Sequence, residues 1–324
     1  MCFLKTAVRS RWCLSPVLWG FMHPLRDSSK RKRAGCGTLW NCQPINNISL
    51  QQKNGETQTL IIIDNLKTTL TSRMLILLAA HNVGLIFCNH EHLPIGFYCS
   101  YDNHSRISKT IHYQINAGTE YYNQLWQLIV QAKITNQYKV LKLLGKNPDM
   151  VIQLKNFCKD VTEGDITNRE AHAAKVYFNE LMGCSFSRGN DELLLNSGLD
   201  YGYAIFRSYL AKLCVGYGLN SQLGIHHKNE YNRFNLVDDL IEPFRPFVDY
   251  YTYSLLKNEE YFKIEHRHRL VNLLNHKILY NKKKMFLCNV MEEYVSNIAS
   301  CIIKKQLETE FPDIQQYLGE PDEI

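Results

Sequence analysis

The apolar pattern changes character twice along the chain. Up to about residue 55, tryptophan, cysteine, proline and basic residues alternate with neither a helical nor a strand period. The stretch ends in the polar run NNISLQQKNGETQ, so no element is predicted there. From Leu60 the signal sharpens. LIIID reads as a short β-branched buried strand, Thr69 to His81 carries an apolar repeat of helical period, and VGLIFCN reads as a second strand, with Pro94 and Gly96 predicted to turn the chain before FYCSY. Beyond Tyr101 strand signals nearly vanish. Helical spacing marks Tyr122 to Leu144 and Met150 to Phe157, with Gly145 to Asp149 as a breaker between them. A helix opens at Thr167, one runs from about Ser197 to Val215 and is stopped by Gly216 and Gly218, one opens at Asn235, and long helical segments follow around 255 to 280 and 285 to 308. The tail from Pro312 is expected to fray. The fold class is therefore α+β: a divergent segment at 1–56, the remainder of a small β-rich N-terminal domain at 57–102, a larger all-α domain at 103–311 and a frayed tail at 312–324.

Composition narrows the class. The 324 residues are 45% hydrophobic and 21% charged, as in an ordinary soluble globular protein. The formal charge of +6 is unevenly placed, with basic concentrations at Lys30 to Arg33, Arg267 and Arg269, Lys282 to Lys284, and Lys304-Lys305. Such clusters suit either a polyanion or plain solvation. The 11 cysteines are odd in number and show no C-x-x-C pair, which fits a reducing cytoplasm. Cys88, His90 and His92 lack a second ligand pair at zinc-finger spacing and read as a strand-to-loop transition. The opening residues resemble an export signal only in part, since Pro16 interrupts the apolar run and Lys-Arg-Lys-Arg follows. No apolar run approaches the roughly 20 residues that span a bilayer.

Two separated stretches carry candidate chemistry. Thr167-Asn-Arg-Glu170 fits the capping box, in which the glutamate returns to the N-cap amide. Against that reading, Ala174, Tyr177 and Leu181 lie on the same helical stripe as Glu170, which turns the carboxylate inward. His227 follows Gly224 in a polar loop, and His226 competes for any role given to it. Asn235-Leu-Val-Asp238 reads as an N-cap with an acid in the first turn, after which Asp239 and Glu242 project together. Glu242 has an exposed ion pair with Arg245 as its ordinary reading. Pro243 removes the amide that would bond the Asp239 carbonyl, at a cost of about 3 kcal/mol or more, and so kinks the chain beside Glu242. Two carboxylates and an imidazole suit one divalent ion, Mg²⁺ or Mn²⁺.

TNREAHAAKVYFNELMG, NSGLDYGYAIFRSYLAK, GLNSQLGIHHKNEYNRFNLVDDLIEPFRPFVD and RLVNLLNHKILYNKKKM, in this order, resemble the Cas-one family of CRISPR-associated endonucleases, the integrases of spacer acquisition, and the type II branch most closely. The likeness runs from about residue 58 to about 315 and includes IIIDN and VGLIFCNHEHLPIG. It implies that the helical domain is catalytic and that the metal ligands are Glu170 in its NREA context, His227 at the end of G-x-x-H, and Glu242 before Pro-Phe-Arg, with Asp239 as a secondary position. It further implies double-stranded DNA as substrate, with the 3′ hydroxyl of a captured fragment attacking the repeat array. It also implies a homodimer, a heterohexamer with a Cas-two family protein, other type II CRISPR proteins as partners, no membrane, and a bacterial cytoplasmic setting. Arg267, Arg269, Lys282, Lys283 and Lys284 are the expected backbone contacts. Residues 1 to about 50 depart from the family, whose members open with several strands, as a shifted reading frame or a wrongly chosen start would produce. A non-catalytic DNA-binding scaffold of the same family and an unrelated small-substrate phosphohydrolase are the competing functions.

Overall fold

The computed structural model describes residues 17–19, 60–100, 105–189 and 193–320. Nearly all of the divergent segment at 1–56 lies outside them. The chain divides into two compact units, Met1–Tyr101 and Asp102–Ile324.

The first unit is a four-stranded sheet in the order β1 (Val17–Trp19), β2 (Leu60–Ile63), β3 (Gly84–Cys88), β4 (Pro94–Tyr98), with α1 (Ser72–Ala80) connecting β2 to β3. β1, β2 and β3 run parallel and β4 returns antiparallel to β3. Ile61, Ile63, Leu78, Val83 and Leu85 form its core, consistent with the continuous apolar runs that parallel strands need. Pro94 and Gly96 do not form the expected turn. Asn89 does this instead, its Oδ1 accepting from the amides of Glu91 (3.0 Å) and Leu93 (2.9 Å). Pro94 then sits at the first position of β4, where a missing amide is tolerated. The Cys88-His90-His92 run binds nothing in common: Cys88 is buried, His90 is exposed, and His92 Nδ1 lies 2.7 Å from Asp64 Oδ1.

The second unit is organised around one helix. Its elements are α2 (Ile107–Ile115), α3 (Thr119–Leu143), α4 (Pro148–Lys159), α5 (Arg169–Met182), α6 (Leu194–Gly216), α7 (Asn235–Leu240), α8 (Arg245–Leu256), α9 (Ile264–Asn272), β5 (Lys277–Tyr280), β6 (Lys283–Phe286), α10 (Leu287–Lys304) and β7 (Tyr317–Gly319). α3 is about 37 Å long and packs against α4, α5, α8 and the turn following α7. α6 and α8 approach so closely that a Cβ on Gly198 or Gly202 would lie 2.5 Å from Leu256 or Val248 side-chain atoms.

Two expectations fail here. The second unit is not all-α, because the end of the segment expected to be helical to 280 is strand β5, which pairs with β6 in a hairpin. Asn281 and Lys282 both take positive φ (49° and 62°), the geometry of a two-residue turn between strands. The tail from Pro312 does not fray up to Glu320. β7 pairs with β5, Ile314 is buried, and Lys139 holds Asp313 at 2.6 Å. Asn136 of α3 fixes this docking: its amide donates to the carbonyls of Pro243 (2.9 Å) and Pro312 (2.8 Å), and its oxygen accepts from Ile314 N (3.1 Å). Asn136→Leu leaves all three backbone groups unsatisfied and is expected to cost about 3–4 kcal/mol in urea unfolding. An unchanged midpoint would contradict that account.

Candidate active site

Lys133 lies within the buried stripe of α3, between Val130 and Ile134 on one side and Gln137 on the other. An ammonium buried there costs several kcal/mol unless it is paired. It has two partners, Glu170 of α5 and Glu242 of the turn between α7 and α8, each in direct contact with Nζ. Burial alone would lower the Lys133 pKa, but the carboxylates of Glu242 and Glu170 outweigh it and hold the group above its ordinary value. Burial likewise favours neutral Glu242, and Arg245 and Lys133 outweigh it in turn, so this carboxyl is held below its ordinary range. Arg245 Nε donates to Glu242 Oε1 at 2.8 Å. Lys133 and Glu242 are thus held as an ion pair, with Glu242 clamped between two cations.

Local capping decides where Glu170 points. The Thr167 capping box does not form, and Asn168 at the N-cap is left-handed and makes no side-chain capping bond. Asp165 replaces it, its two oxygens accepting from Arg169 N (2.8 Å) and Glu170 N (2.9 Å). The Glu170 side chain is therefore not needed at the helix end and reaches Lys133.

Glu242 is placed by Pro243. α7 ends at Leu240, Glu242 to Phe244 form a 3-10 turn, and α8 begins at Arg245, so the expected kink is realised as a change of helix. The Glu242–Arg245 pair forms, but with the Glu242 side chain only 6% exposed it is not the solvated pair of the ordinary reading. Asn235 does not cap α7; Phe234 holds that position. Asn235 donates instead to the carbonyls of Gln222 (3.2 Å) and Asn229 (2.9 Å) and pins the loop before it.

That loop wraps around Asp239, which is fully buried. Asp239 Oδ2 accepts from Ile225 N (2.6 Å) and His226 N (3.0 Å), and Oδ1 from His227 N (3.2 Å) and His227 Nδ1 (2.6 Å). Gly224 permits the fold, since a Cβ there would sit 2.2 Å from the His227 carbonyl. The bond to Asp239 raises the His227 pKa; burial opposes it, and the charges of Asp239 and Glu242 add to the rise. In its neutral form the bond selects the Nδ1–H tautomer and leaves the Nε2 lone pair to a ligand. His226 stacks on Trp126, ring centroids 4.5 Å apart, and burial lowers its pKa. Geometry therefore separates two histidines that composition left equivalent.

A cavity of about 240 Å³ adjoins the ion cluster, lined among others by Gln137, Glu170, Arg188, Tyr203, Glu242 and Asp249. Asp249 is buried and accepts from the Tyr203 hydroxyl, and burial raises its pKa from the ordinary 3.8 to about 6. Because the folded value is the higher, this group's contribution to stability is full below about pH 4 and is lost as pH rises through about 6. The loss is about 3 kcal/mol. Asp249→Asn is expected to gain that much on the parent between pH 4 and pH 7 in urea titrations, and a pH-independent difference would refute it.

Of the predicted ligands, the structure unites Glu170 and Glu242 on one cation. It does not bring His227 to the same point: His227 lines a separate cavity of about 720 Å³ with Gln114, Tyr122, Lys228 and Tyr231. Among the described residues, no three His, Cys, Asp or Glu side chains are placed to hold one ion together. The reason is local pairing, since Lys133 already satisfies the carboxylates and Asp239 holds the imidazole. Asp239, expected as a secondary ligand, has both oxygens taken by the loop. Lys282, Lys283 and Lys284 are exposed at the β5–β6 hairpin, Arg269 is exposed on α9 with Glu320 at 3.8 Å, and Arg267 is partly buried there.

A family model described as CRISPR associated protein Cas1 matches residues 49–277. The chain belongs to the Cas1 family. The CRISPR-associated endonuclease Cas1 of Neisseria meningitidis serogroup C is 40% identical over 207 residues, which are 62% of this chain and 67% of that protein. Cas1 1 of Francisella tularensis subsp. novicida is 28% identical over 198 residues, 53% and 62% of the two chains. The aligned stretches thus span about two thirds of these relatives' length. Among solved structures, a casposase bound to integration product superposes with a TM-score of 0.65 at 20% identity, over 81% of this chain and 82% of that one. A Cas6-RT-Cas1–Cas2 complex superposes with a TM-score of 0.59 at 18% identity, over 78% and 31%. At these identities the likeness is one of fold.

Within this Cas1 chain, sequence reading missed Lys133 and the buried role of Arg245. The signal for Lys133 was present: Leu125, Ile129, Val130, Ile134, Val140 and Leu141 frame it at helical spacing, and a lysine inside an apolar stripe needs carboxylate partners.

Proposed function

We propose that this protein is a divalent-metal-dependent DNA endonuclease and integrase of CRISPR spacer acquisition, joining the 3′ hydroxyl of a captured DNA fragment to the repeat array by transesterification. The observation that carries the reading is the convergence of Glu170 and Glu242, from separate elements, on one buried cation. Such a carboxylate pair would fit Mg²⁺ or Mn²⁺, and His227 Nε2 is the candidate nitrogen ligand. When bound, the metal polarises the scissile phosphodiester and stabilises charge on its oxygens. The chain's own residues prepare the site: Arg245 holds the Glu242 carboxylate, Asp165 frees Glu170 from capping, and Asp239 sets the tautomer and direction of His227. With water as nucleophile the same site acts as a nuclease.

The names of the similar proteins support this reading, since one is a CRISPR-associated endonuclease and another a casposase bound to integration product. The Cas6-RT-Cas1–Cas2 neighbour supports a Cas2 partner. The proposed assembly is a heterohexamer with two dimers of this chain, and exposed Ile95 and Phe97 on β4 suit the homodimer contact. No helix among the described residues is long and apolar enough to cross a membrane, in keeping with a cytoplasmic setting.

The deciding experiment incubates the protein and its Cas2 partner with a 3′-ended duplex, a repeat-containing plasmid and Mg²⁺ or Mn²⁺, and measures metal-dependent joining. Absence of joining by the parent would leave the non-catalytic scaffold as the function, and full activity of Glu170→Ala would refute the catalytic role of the carboxylate pair. Turnover of nucleotides with indifference to duplex DNA would favour the small-substrate phosphohydrolase. For DNA gripping, changing Lys282, Lys283 and Lys284 to alanine is expected to lower the slope of log affinity against log salt by about 0.9 for each phosphate that is no longer neutralised. The Arg267→Ala and Arg269→Ala variants test α9 in the same way. An unchanged slope removes those residues from the DNA interface.

A further inference from the structure

We propose that Lys133 is a tethered counter-cation that occupies the carboxylate pair and must surrender it for a divalent ion to bind. This rests on the metal-dependent reading of the site. The ammonium contacts one oxygen of each carboxylate, and its side chain is only 8% exposed. One cation already bridges the two groups that the metal would bridge, and the two positive charges cannot both contact Glu170 Oε1 and Glu242 Oε2 without strong repulsion. Arg245 remains on Glu242 Oε1, so among the described residues Lys133 is the cation that spans the pair.

Exchange gives the ammonium a second position. The adjoining cavity of about 240 Å³ is lined by Gln137, one turn along α3, and by Tyr203. A displaced Lys133 turns into it as a hydrogen-bond donor, with the Asp249 carboxylate among the groups that line it.

The test measures Mn²⁺ binding without DNA, by the electron paramagnetic resonance signal of free Mn²⁺, in the parent, Lys133→Met, Glu170→Gln and the double variant. Methionine keeps the length of the side chain without its charge. Lys133→Met is expected to bind Mn²⁺ at least about tenfold more tightly than the parent, with Glu170→Gln abolishing the gain. Equal or weaker binding by Lys133→Met, with binding still abolished in Glu170→Gln, overturns the exchange and leaves the metal site standing. Binding that is absent throughout, or indifferent to Glu170→Gln, overturns the metal reading itself. Should Lys133→Met fail to fold, the parent serves alone: the ¹³Cε resonance of Lys133, identified by its disappearance in Lys133→Arg, is expected to shift as Mg²⁺ saturates the site. A resonance that does not move overturns the proposal.

Discussion

Glu170→Gln is expected to abolish DNA joining, by at least about 10³-fold, while leaving the fold intact. The magnitude corresponds to about 4 kcal/mol of transition-state stabilisation, of the order a bound metal supplies when its ligand set is complete. The fold survives because Lys133 keeps Glu242 as a partner and because the amide end of α5 is capped by Asp165, not by Glu170. Glu242→Gln should lose activity to a similar degree but also about 3 kcal/mol or more of stability, since Lys133 and Arg245 both lose their common carboxylate in a buried setting. Joining assays paired with thermal melts separate the two. Retained joining in Glu170→Gln would remove the carboxylate pair from the chemistry.

Asp239→Asn is expected to destabilise the protein by about 3–5 kcal/mol and to lower the His227 pKa. The carboxylate accepts four hydrogen bonds without solvent contact, and an amide offers one acceptor oxygen and presents N–H groups to donors. Because the folded His227 pKa is raised, its charged form contributes stability that is present below about pH 6.5 and is lost as pH rises through the folded value. That pH-dependent component should disappear in the variant. Urea unfolding measures the first effect and histidine ring-proton titration the second. An unmoved His227 titration would show that Asp239 does not orient the ring.

Glu170, His227 and Glu242 stood out as candidates because the family pattern around each is long and local. Their geometry was less so. The Thr167 box competed with an acid two positions earlier, and Asp165 won because its backbone takes a positive φ of 48° that brings both oxygens to the helix amides. The first strand of the hairpin was read as the end of a helix, and the second was missed since its lysines carry no apolar alternation on the exposed strand. Only buried Ile278 and Tyr280 on β5, followed by Asn281, marked it. The docking of residues 312–320 depended on Asn136, more than 170 positions away, and no window of local sequence contains both.

Periodicity and composition by themselves determined that a small strand-rich segment precedes a helical unit, that α3 is long, and that acids and histidines cluster at two places in the chain. These are properties of neighbours, set by side chains a few positions apart. The tertiary structure alone decided which charges meet. Lys133 stands 37 residues from Glu170 and 109 from Glu242, and the electrostatic cost of burying Lys133 and Glu242 is relieved only when their partners arrive. A buried charge selects its partners by proximity in space, and that information exists only once the helices have packed.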